Sequence, residues 1–580
     1  MGMHTEASPQ GVWGAWLLAG MLGIAAQAAG AQEAADRELL RQQERERALR
    51  ERQENRTDVR LESGSASASL RLPETEMPCF PIHRIRLVGE DAARFRWALR
   101  AADVPGDPAT GRCLGTEGIH VLLKRVQNAI VARGFVTTRV LATEQDLRQG
   151  ELRLTIVPGR IRAIRFSADG DGGQASHWNA LPAAPGDLLN LRDIEQALEN
   201  FQRIPTVAAD IQIVPAEGDA ASAGESDLVI ARQQRRPLRI NLSLDDSGSA
   251  STGKRQAGTT LSLDNPLRWN DLFYLNLGQS ALNGERKDTS SWTAHYDVPF
   301  GYWLAGVTAS GYDYRQTIAG AYQTYDYNGS SRNAEFRLSR LLFRNARAKT
   351  GFHARGWWRE SRNFIDDTEI EVQRRRMAGW ELGGDHKVFI GAATLEASAA
   401  YRRGTGAFGA LASPEQAAHA ANPGIPLEGT ARAALISADG RFAVPFRWGR
   451  QSLRYSAHWR AQWNRTPLVP QDRFAIGGRY TVRGFDGEVS LAGERGWLIR
   501  NDLAVSLGAG QEFYLGADYG HVAGPSTQWQ PGNHLAGVAL GLRGGWQGGN
   551  WDLFVGAPIR KPDDFPTAYT TTGFSFGWSF

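Results

Sequence analysis

Alternation of apolar and polar residues dominates the chain after Pro237. At 238–245, 292–298 and 453–463 every second residue is apolar, and the residues between them are mostly polar. This two-residue period is that of a β-strand with one apolar and one polar face. About sixteen such segments fit into roughly the last 345 residues. The pattern therefore predicts an antiparallel β-structure over 236–580.

The connections between these segments alternate between short and long, which decides between two kinds of β-structure. Tight turns are predicted near Phe300-Gly301, Asn345, Gly391, Pro445 and Gly508. Long polar loops are predicted over 315–331, 403–430 and 466–495. A water-soluble sandwich also alternates, but aromatic outer faces, charged inner positions and this asymmetry of loops favour a membrane β-barrel of about sixteen antiparallel strands.

Between Cys79 and Gln233 the periodicity mixes strands with helices, and the same order occurs twice. The order is strand, helix, strand, strand. The first copy comprises 82–88, 118–135, 136–141 and 151–159. The second copy comprises 161–166, 191–201, 208–216 and 227–233. This internal repeat predicts two small α+β modules in tandem.

The segment 36–56 has strong helix-forming residues but almost no apolar ones. Pairs such as Glu46 and Arg50 have the i,i+4 spacing that supports an isolated polar helix. Without an apolar stripe, the helix cannot pack on an ordinary core. Two interpretations remain open, a solvated, frayed arm or a helix inside a wet, charged cavity. The following residues, 61–69, have the composition of a flexible tether.

The N-terminus predicts export. No charged residue occurs from Ala7 to Gln32, the apolar core spans 11–26, and Ala29-Gly30-Ala31 resembles a cleavage site. We therefore predict a signal peptide over 1–31. The region before the apolar core departs from the usual pattern because it contains no Lys or Arg, and an uncleaved anchor is the alternative.

Composition and charge narrow the function classes. The chain has 66 Lys+Arg against 62 Asp+Glu, which gives no case for a nucleic-acid partner. Its two cysteines, Cys79 and Cys113, could form one disulfide in an exported chain, or remain free buried thiols. Two cysteines are too few for a structural zinc site, and we expect neither a metal nor another cofactor.

An enzyme is not expected either. Residues 573–577 match G-x-S-x-G, the nucleophile pattern of hydrolases. The match lies in a strand pattern with no helix after it, and three residues remain to supply an acid and a histidine. A phosphate-binding G-x-x-x-x-G-K-[ST] motif is also missing from the sequence.

Several motifs together resemble the two-partner secretion transporters, the TpsB group of the outer-membrane barrels that carry periplasmic POTRA modules. The matching residues are Pro78-Cys79-Phe80-Pro81-Ile82, Cys113-Leu114-Gly115, 132–141, Val482-Arg483-Gly484-Phe485 and the final strand ending in Phe580. The resemblance implies the following division: a plug helix at 32–60, a linker at 61–77, POTRA modules at 78–158 and 159–235, and the barrel at 236–580. It also implies a Cys79–Cys113 disulfide and a C-terminal assembly signal formed by Phe576, Trp578 and Phe580.

In such transporters the loop that carries the VRGF motif, here 466–495, folds into the barrel lumen. The resemblance implies that Arg483 is held there by an acidic residue on a neighbouring strand. In 513–520 the odd positions are apolar, so Asp518 should face the lumen and is the candidate partner. Gly484 would relieve crowding at the tip of the loop. The alternatives are an exposed loop arginine and a merely solvated carboxylate.

The function implied by the resemblance is secretion of a large partner exoprotein, adhesin or haemolysin-like, through the barrel. Its N-terminal secretion domain would bind the POTRA modules in the periplasm, and the barrel would contact outer-membrane lipid and, during biogenesis, the barrel assembly machinery. The alternative functions are a barrel that inserts other outer-membrane proteins, a passive porin and, with no legible active site, an outer-membrane enzyme.

Overall fold

The computed structural model describes the chain in several stretches. They are 34–54, 57–61, 71–168, 170, 175–217, 222–281, 287–319 and 323–580. The predicted signal peptide at 1–31 and most of the predicted tether at 61–69 lie outside the described residues. The first element, α1, is a helix over 34–53.

Module one follows the linker and contains a three-stranded sheet covered by one long helix. Its elements are β1 (Phe80–Pro81), β2 (Arg84–Val88), α2 (Ala92–Phe95), a 3-10 helix (Arg96–Ala101), β3 (Asp103–Val104), β4 (Asp107–Pro108), β5 (Cys113–Leu114), α3 (Thr116–Ala132), β6 (Arg139–Leu141) and β7 (Glu151–Val157). The sheet order is β2-β7-β6, with β2 and β7 parallel. Leu122, Val126 and Ile130, spaced by four on α3, are buried against it.

Module two repeats this topology. Its elements are β8 (Arg160–Phe166), α4 (Leu191–Gln202), β9 (Val207–Pro215) and β10 (Glu225–Gln234). The sheet order is β8-β10-β9, and β8 and β10 are parallel. Ile194, Leu198 and Phe201 on α4 fill its core. The prediction of two α+β modules is therefore confirmed.

A disulfide joins Cys79 and Cys113 in module one, as expected. It ties the segment that enters the module to the residues just before α3. Glu76, on the same incoming segment, accepts hydrogen bonds from the backbone N–H groups of Gly115, Glu117 and Gly118 at 2.8–3.0 Å. Because Gly115 at the N-cap position has no side chain, a residue remote in sequence caps α3.

The rest of the chain forms the barrel and its loops. The elements are β11 (Leu238–Asp245), β12 (Gln256–Asp264), β13 (Leu272–Ser280), β14 (Asp288–Phe300), β15 (Trp303–Ala319), β16 (Thr324–Arg344), β17 (Ala348–Ile365), β18 (Thr368–Glu369), β19 (Arg375–Ile390), β20 (Ala393–Thr405), α5 (Pro414–Ala421), β21 (Ala434–Trp448), β22 (Gln451–Asn464), β23 (Phe474–Ile476), β24 (Leu491–Gly493), β25 (Arg495–Gly508), β26 (Gln511–Ala523), β27 (His534–Trp546), β28 (Gly549–Arg560) and β29 (Thr571–Ser579). Short 3-10 helices occupy Glu371–Gln373, Pro470–Asp472 and Pro525–Trp529.

Apart from the short β18, β23 and β24, these strands form one closed antiparallel barrel of sixteen strands in the described part of the chain, which confirms the predicted fold class. The barrel closes where β11 pairs with β29, with Leu242 opposite Trp578. The strand parity is also as predicted. On β26, Phe513 and Leu515 are exposed on the outer face, whereas Tyr514 and Asp518 are buried inside.

Two predicted connections were wrong. Pro445 lies within β21, and the turn comes later, at Gly449-Arg450. The strand tolerates this proline because Pro445 lies beyond Ala443, the last residue paired with β20, where hydrogen bonds are needed on one side only. The predicted loop at 315–331 is mostly strand, since β15 and β16 stay paired from Gln316 and Tyr327 to Ala319 and Thr324.

The helices of the described segments are either too short or too polar to cross a membrane. Helix α1 instead lies inside the barrel. Module two lies at the end of the barrel that carries the short turns, where the Gly301 N–H donates to the carbonyl oxygen of Asn179 at 2.7 Å. The long loops are at the opposite end.

Candidate functional site: the occupied barrel lumen

The loop between β22 and β25 folds into the lumen, and Arg483 and Asp518 meet there. Arg483 Nε donates to Asp518 Oδ2 at 2.7 Å, and Arg483 Nη2 donates to Asp518 Oδ1 at 2.7 Å. The backbone N–H of Arg483 donates to the same carboxylate at 2.9 Å. Both side chains are buried. A guanidinium makes such a two-point contact, and an ammonium does not.

A second carboxylate completes this arrangement, and the sequence interpretation missed it. Asp502 on β25 lies 2.7 Å from Arg483 Nη2. Two further arginines stand nearby, Arg500 at 3.8 Å from Asp518 and Arg543 at 3.6 Å from Asp502. The alternation of residues along β25 could have indicated that Asp502 faces the lumen, because it shares the inner face of that strand with Leu498 and Arg500.

Glycines make room for the loop tip. Gly484 has φ +97°, and a Cβ there would lie 2.4 Å from the carbonyl oxygen of Ala557 on β28. On the neighbouring strand β27, a Cβ on Gly537 would lie 1.9 Å from the carbonyl oxygen of Arg483. A side chain at either position would therefore push the tip away from the wall. The crowding expected at Gly484 therefore arises from the close approach of the loop tip to the backbone of the barrel wall.

The remaining two residues of the tetrapeptide, Val482 and Phe485, are buried in an apolar cluster under the loop. The other members of that cluster come from β23, β24, β25, β26, β27 and the last loop: Phe474, Ile476, Leu491, Leu498, Val522, Leu535 and Phe565. The motif thus places the ion-paired Arg483 between two apolar anchors, Val482 before it and Phe485 after it.

The base of the loop is held at a second place. Asp472, whose side chain is almost fully buried, lies 3.3 Å from Arg359 on β17 and 3.4 Å from Arg402 on β20. Gln471 beside it donates to the hydroxyl of Ser361 at 3.1 Å. The loop therefore spans the lumen between β17–β20 on one side and β26–β28 on the other.

Helix α1 occupies the space beside this loop. At its start, Ala35 and Leu39 pack against a cluster of inward tyrosines, Tyr312, Tyr314 and Tyr327, near the long-loop end. Beside Leu39 on the helix, Glu38 accepts a hydrogen bond from the hydroxyl of Tyr312. The helix therefore begins in an aromatic pocket and continues towards the short-turn end of the barrel.

The middle of α1 pairs with charges from opposite walls. Glu44 accepts two hydrogen bonds from Arg460 on β22, at 2.7 and 2.8 Å. Glu51 lies 2.5 Å from Arg441 on β21, and Arg47 pairs with Asp439 on the same strand. On the other side, Arg50 lies 2.6 Å from Glu335 on β16. A helix that is polar all round is thus matched by a lumen that is charged all round. Of the two interpretations of 36–56, the structure has the helix in a charged cavity.

After α1, the chain is clamped between module two and the short-turn end of the barrel. Asp58 lies 2.8 Å from Lys349 and 2.5 Å from Lys387, at the ends of β17 and β19. Burial disfavours the Asp58 carboxylate, but hydrogen bonds from both lysines outweigh it and hold the pKa of Asp58 below its ordinary value. The residues 57–61, which we call the clamp segment, were not singled out from the sequence.

Helix α4 forms the other side of this clamp. The N–H groups of Val59 and Leu61 donate to Glu199 and Glu195 on α4, each at 2.8 Å. Arg344, at the end of β16, donates to Glu195 at 2.8 Å and to the Val59 carbonyl at 2.6 Å. The clamp segment therefore joins three bodies: α1, module two and the barrel wall.

The three C-terminal aromatics predicted as an assembly signal lie at the closing seam. Phe576, Trp578 and Phe580 are exposed on the outer face of β29 and its end. The Phe580 N–H donates to the Ile240 carbonyl at 2.9 Å, which adds a hydrogen bond to the β11–β29 closure. Among the residues that the structure describes, no three His, Cys, Asp or Glu side chains are grouped so that they could hold a metal ion.

Comparison with known families matches most of the chain. Residues 224–544 match the family described as haemolysin secretion/activation protein ShlB/FhaC/HecB. Residues 80–159 match the ShlB-type POTRA domain, and residues 160–215 match a further POTRA domain.

Individual relatives agree with this. The outer membrane transporter CdiB-2 of Burkholderia pseudomallei (strain 1026b) is 36% identical over 572 residues, covering 96% of this chain and 95% of the relative. The outer membrane transporter CdiB of Dickeya dadantii (strain 3937) is 28% identical over 515 residues, covering 87% of each chain. The solved structure of CdiB from Acinetobacter baumannii superposes with a TM-score of 0.82 at 31% identity, covering 94% of this chain and 99% of that one.

These matches confirm the transport function and the location, with the barrel in the outer membrane and the POTRA domains in the periplasm. The short-turn end of the barrel is therefore periplasmic, and the long loops are extracellular. The chain belongs to the ShlB/FhaC/HecB family of haemolysin secretion/activation proteins, the outer-membrane transporters of two-partner secretion.

Proposed function

We propose that this transporter rests with its lumen closed by α1 and by the loop between β22 and β25, residues 465–494, here called the Arg483 loop. The partner exoprotein crosses in extended form once α1 has left. The observation that carries the proposal is the set of ion pairs between α1 and opposite walls, from Glu335 on one side to Arg441 and Arg460 on the other. An α-helix with its side chains is about 10–12 Å across. In this position it occupies the path that an extended chain would take.

The strength of these contacts suits a plug that has to leave. The pairs of Glu44, Arg47, Arg50 and Glu51 are partly exposed to lumen water. The most exposed of them, Arg47–Asp439 and Glu51–Arg441, contribute about 0–1 kcal/mol each, because water solvates both partners after separation. Several ion pairs together retain α1 in the lumen. An apolar interface of equal size would hold the helix far more tightly.

Capture of the partner is assigned to the POTRA modules. Within the described residues, β9 pairs only with β10, and β2 only with β7, so each sheet presents an edge. Such edges accept an extended segment by β-augmentation, which suits the N-terminal secretion domain of an exoprotein. Folding of the partner outside the cell would prevent its return and so drive export.

Arg483 and Asp518 act in this scheme as a latch that keeps the loop inside the lumen, with Val482, Gly484 and Phe485 shaping its tip. Arg483→Ala is expected to abolish or strongly reduce export while the barrel still inserts. Phe576, Trp578 and Phe580 are proposed as the signal that the barrel assembly machinery recognises, and the apolar outer face as the lipid contact.

Channel recordings test the plug. Deleting 34–54, while keeping the clamp segment, should raise single-channel conductance in planar bilayers. A control variant replaces the same residues by an equally long Gly/Ser segment, which keeps the chain length but makes no ion pairs with the wall. Unchanged conductance in both variants would contradict a helical plug.

Tethering tests whether α1 must leave. In the variant with Glu44→Cys and Arg460→Cys, a short reducible thiol cross-linker should fix the helix to β22 and stop export of the partner exoprotein. Each single-cysteine variant, treated in the same way, is the control. Continued export by the cross-linked transporter would show that the exoprotein does not use the path that α1 occupies.

A further inference from the structure

A tryptophan of module two is exposed where that module meets the barrel. Trp178 lies in the segment 175–182, here called the Trp178 loop, which precedes α4. Its side chain is 59% exposed, although the neighbouring Asn179, Ala180 and Leu181 are buried. A single exposed aromatic residue is ordinary on a protein surface, but one that belongs to a contiguous apolar patch marks an interaction site.

The Trp178 loop is fixed to the barrel by polar contacts. Asn179 Nδ2 donates to the Pro299 carbonyl at 3.1 Å and also to the Trp269 carbonyl. Asn179 Oδ1 accepts from Asn270 Nδ2 at 3.0 Å, and that same amide group donates to the Ser176 carbonyl at 2.7 Å. Two periplasmic turns of the barrel thus set the direction in which Trp178 points.

That direction brings Trp178 to the lipid-facing aromatics of the barrel. Its ring centroid lies 6.4 Å from Trp269 and 5.7 Å from Phe300. Leu267 and Trp303 extend the same exposed surface. Arg340, on the outer face of β16, places its guanidinium 4.8 Å from the ring centroid of Trp303.

This patch continues the periplasmic girdle of the barrel. The outward residues at the other periplasmic strand ends are also exposed and apolar: Phe343, Ile390, Trp448, Leu507 and Trp546. Aromatic girdles mark the level of the lipid headgroups, where tryptophan places its ring among acyl chains and its N–H near water. The girdle therefore sets the height of the membrane surface, and Trp178 lies at that height.

We propose that Trp178 anchors module two in the periplasmic leaflet, with its ring at the boundary between the headgroups and the acyl chains of phospholipids. Phospholipid is the occupant that fits because the patch is continuous with the barrel's lipid surface and carries an arginine suited to phosphate. The Trp178 loop then holds module two by three attachments: two barrel turns and the membrane. This anchor holds module two beside the clamp segment. It thereby fixes the angle at which the partner exoprotein approaches the lumen.

Depth-dependent quenching tests the anchor in the full-length transporter. Trp178→Cys carries an environment-sensitive nitrobenzoxadiazole label, and the Cys79–Cys113 disulfide leaves no other thiol to react. The protein is reconstituted in vesicles of phosphatidylethanolamine and phosphatidylglycerol with a nitroxide near the headgroup or near the acyl-chain end. The matched control is Ser222→Cys, on an exposed loop of module two next to Gly224, which faces module one.

The label at 178 should lose fluorescence to the headgroup-level nitroxide and less to the deep one, while the label at 222 loses none. A companion measurement keeps the tryptophan: a label at Ala175→Cys should be quenched, and the quenching should fall when Trp178→Glu is added. Equal responses at 178 and 222 would overturn the proposal. A 178 label that stays in water in these vesicles would also overturn it.

Discussion

Replacing Arg483 by alanine removes the central cation of the loop latch. The change leaves the Asp518 carboxylate, 4% exposed, without the two hydrogen bonds from the Arg483 guanidinium. Removing one partner of a buried ion pair costs about 3–5 kcal/mol. Arg500 already lies 3.8 Å from Asp518 and would compensate in part, so we take about 3 kcal/mol, the lower end of that range.

This magnitude sets what an assay should find. About 3 kcal/mol corresponds to about a hundredfold increase in the ratio of undocked to docked loop. Hydrogen exchange of the β23–β24 amides measures that ratio directly, because these amides exchange when the loop leaves the wall. Exchange over 474–493 should accelerate by about two orders of magnitude, while β26 should keep its protection.

Three variants control for trivial explanations. Arg465→Ala removes an exposed arginine at the start of the same loop and should leave exchange unchanged. Arg483→Lys keeps the charge but loses the two-point contact, and should fall between wild type and Arg483→Ala. Adding Asp518→Asn to Arg483→Ala should recover part of the loss, because the unpaired buried charge is gone. Wild-type exchange in Arg483→Ala would refute the latch.

Other predictions concern the periplasmic modules. Glu76→Ala removes the cap of α3 and should cost module one about 1–2 kcal/mol, seen as faster exchange in α3, with Glu76→Gln milder. Reducing Cys79–Cys113, which closes a loop with a sequence separation of 34, should cost about 2–4 kcal/mol, read from urea-dependent proteolysis. Burial raises the pKa of Asp193 to about 6, against the opposing hydrogen bond from the Tyr302 hydroxyl. Undocking of α4 would return Asp193 to its ordinary, lower pKa. The contact between Asp193 and Tyr302 should therefore strengthen as pH falls from above 6 towards 4. Cross-linking between α4 and the turn that carries Tyr302 should show this dependence, and Asp193→Asn should abolish it.

The sequence was most informative where one local rule decided the outcome. Strand parity in 513–520 identified Asp518 because alternate residues face opposite sides of a sheet whatever the rest of the barrel does. The same rule could have found Asp502, but nothing in the sequence says how close β25 comes to the loop tip. Proximity between a loop and a wall depends on register and on the glycines opposite, such as Gly537.

Contacts among several distant elements were beyond local rules. Asp58, Glu199 and Lys349 have the pattern of ordinary surface charges, and only the docking of module two against the barrel brings them together. The prediction of a loop at 315–331, where β15 and β16 extend as a hairpin, was wrong because local polarity was misleading. The outer residues of this hairpin above the membrane face water, so their polarity was that of a loop, although inward Tyr314 and Tyr327 keep the strands paired around a buried cluster.

The two closing elements are held by largely separate contacts, and this separates two models of opening. Between α1 and the loop, Arg41 donates to the Gly487 carbonyl at 2.5 Å, Gln43 donates to the Gln471 carbonyl at 3.3 Å, and Asp36 contacts the Gln471 side chain. A hydrogen bond between neutral groups contributes about 0.5–1.5 kcal/mol, and one that involves a charged side chain such as Arg41 contributes about 1.5–3 kcal/mol.

The loop's own contacts with the wall are stronger, since they include the Arg483 fork, Asp472 between two arginines and a buried apolar cluster. Departure of α1 should therefore open the lumen while the loop stays docked. In the transporter that lacks 34–54, exchange over 474–493 should accelerate much less than in Arg483→Ala. Equal acceleration in the two variants would mean that α1 and the loop leave the lumen together. Docking of the loop would then depend on α1, and the loop would not be a second, independent closure.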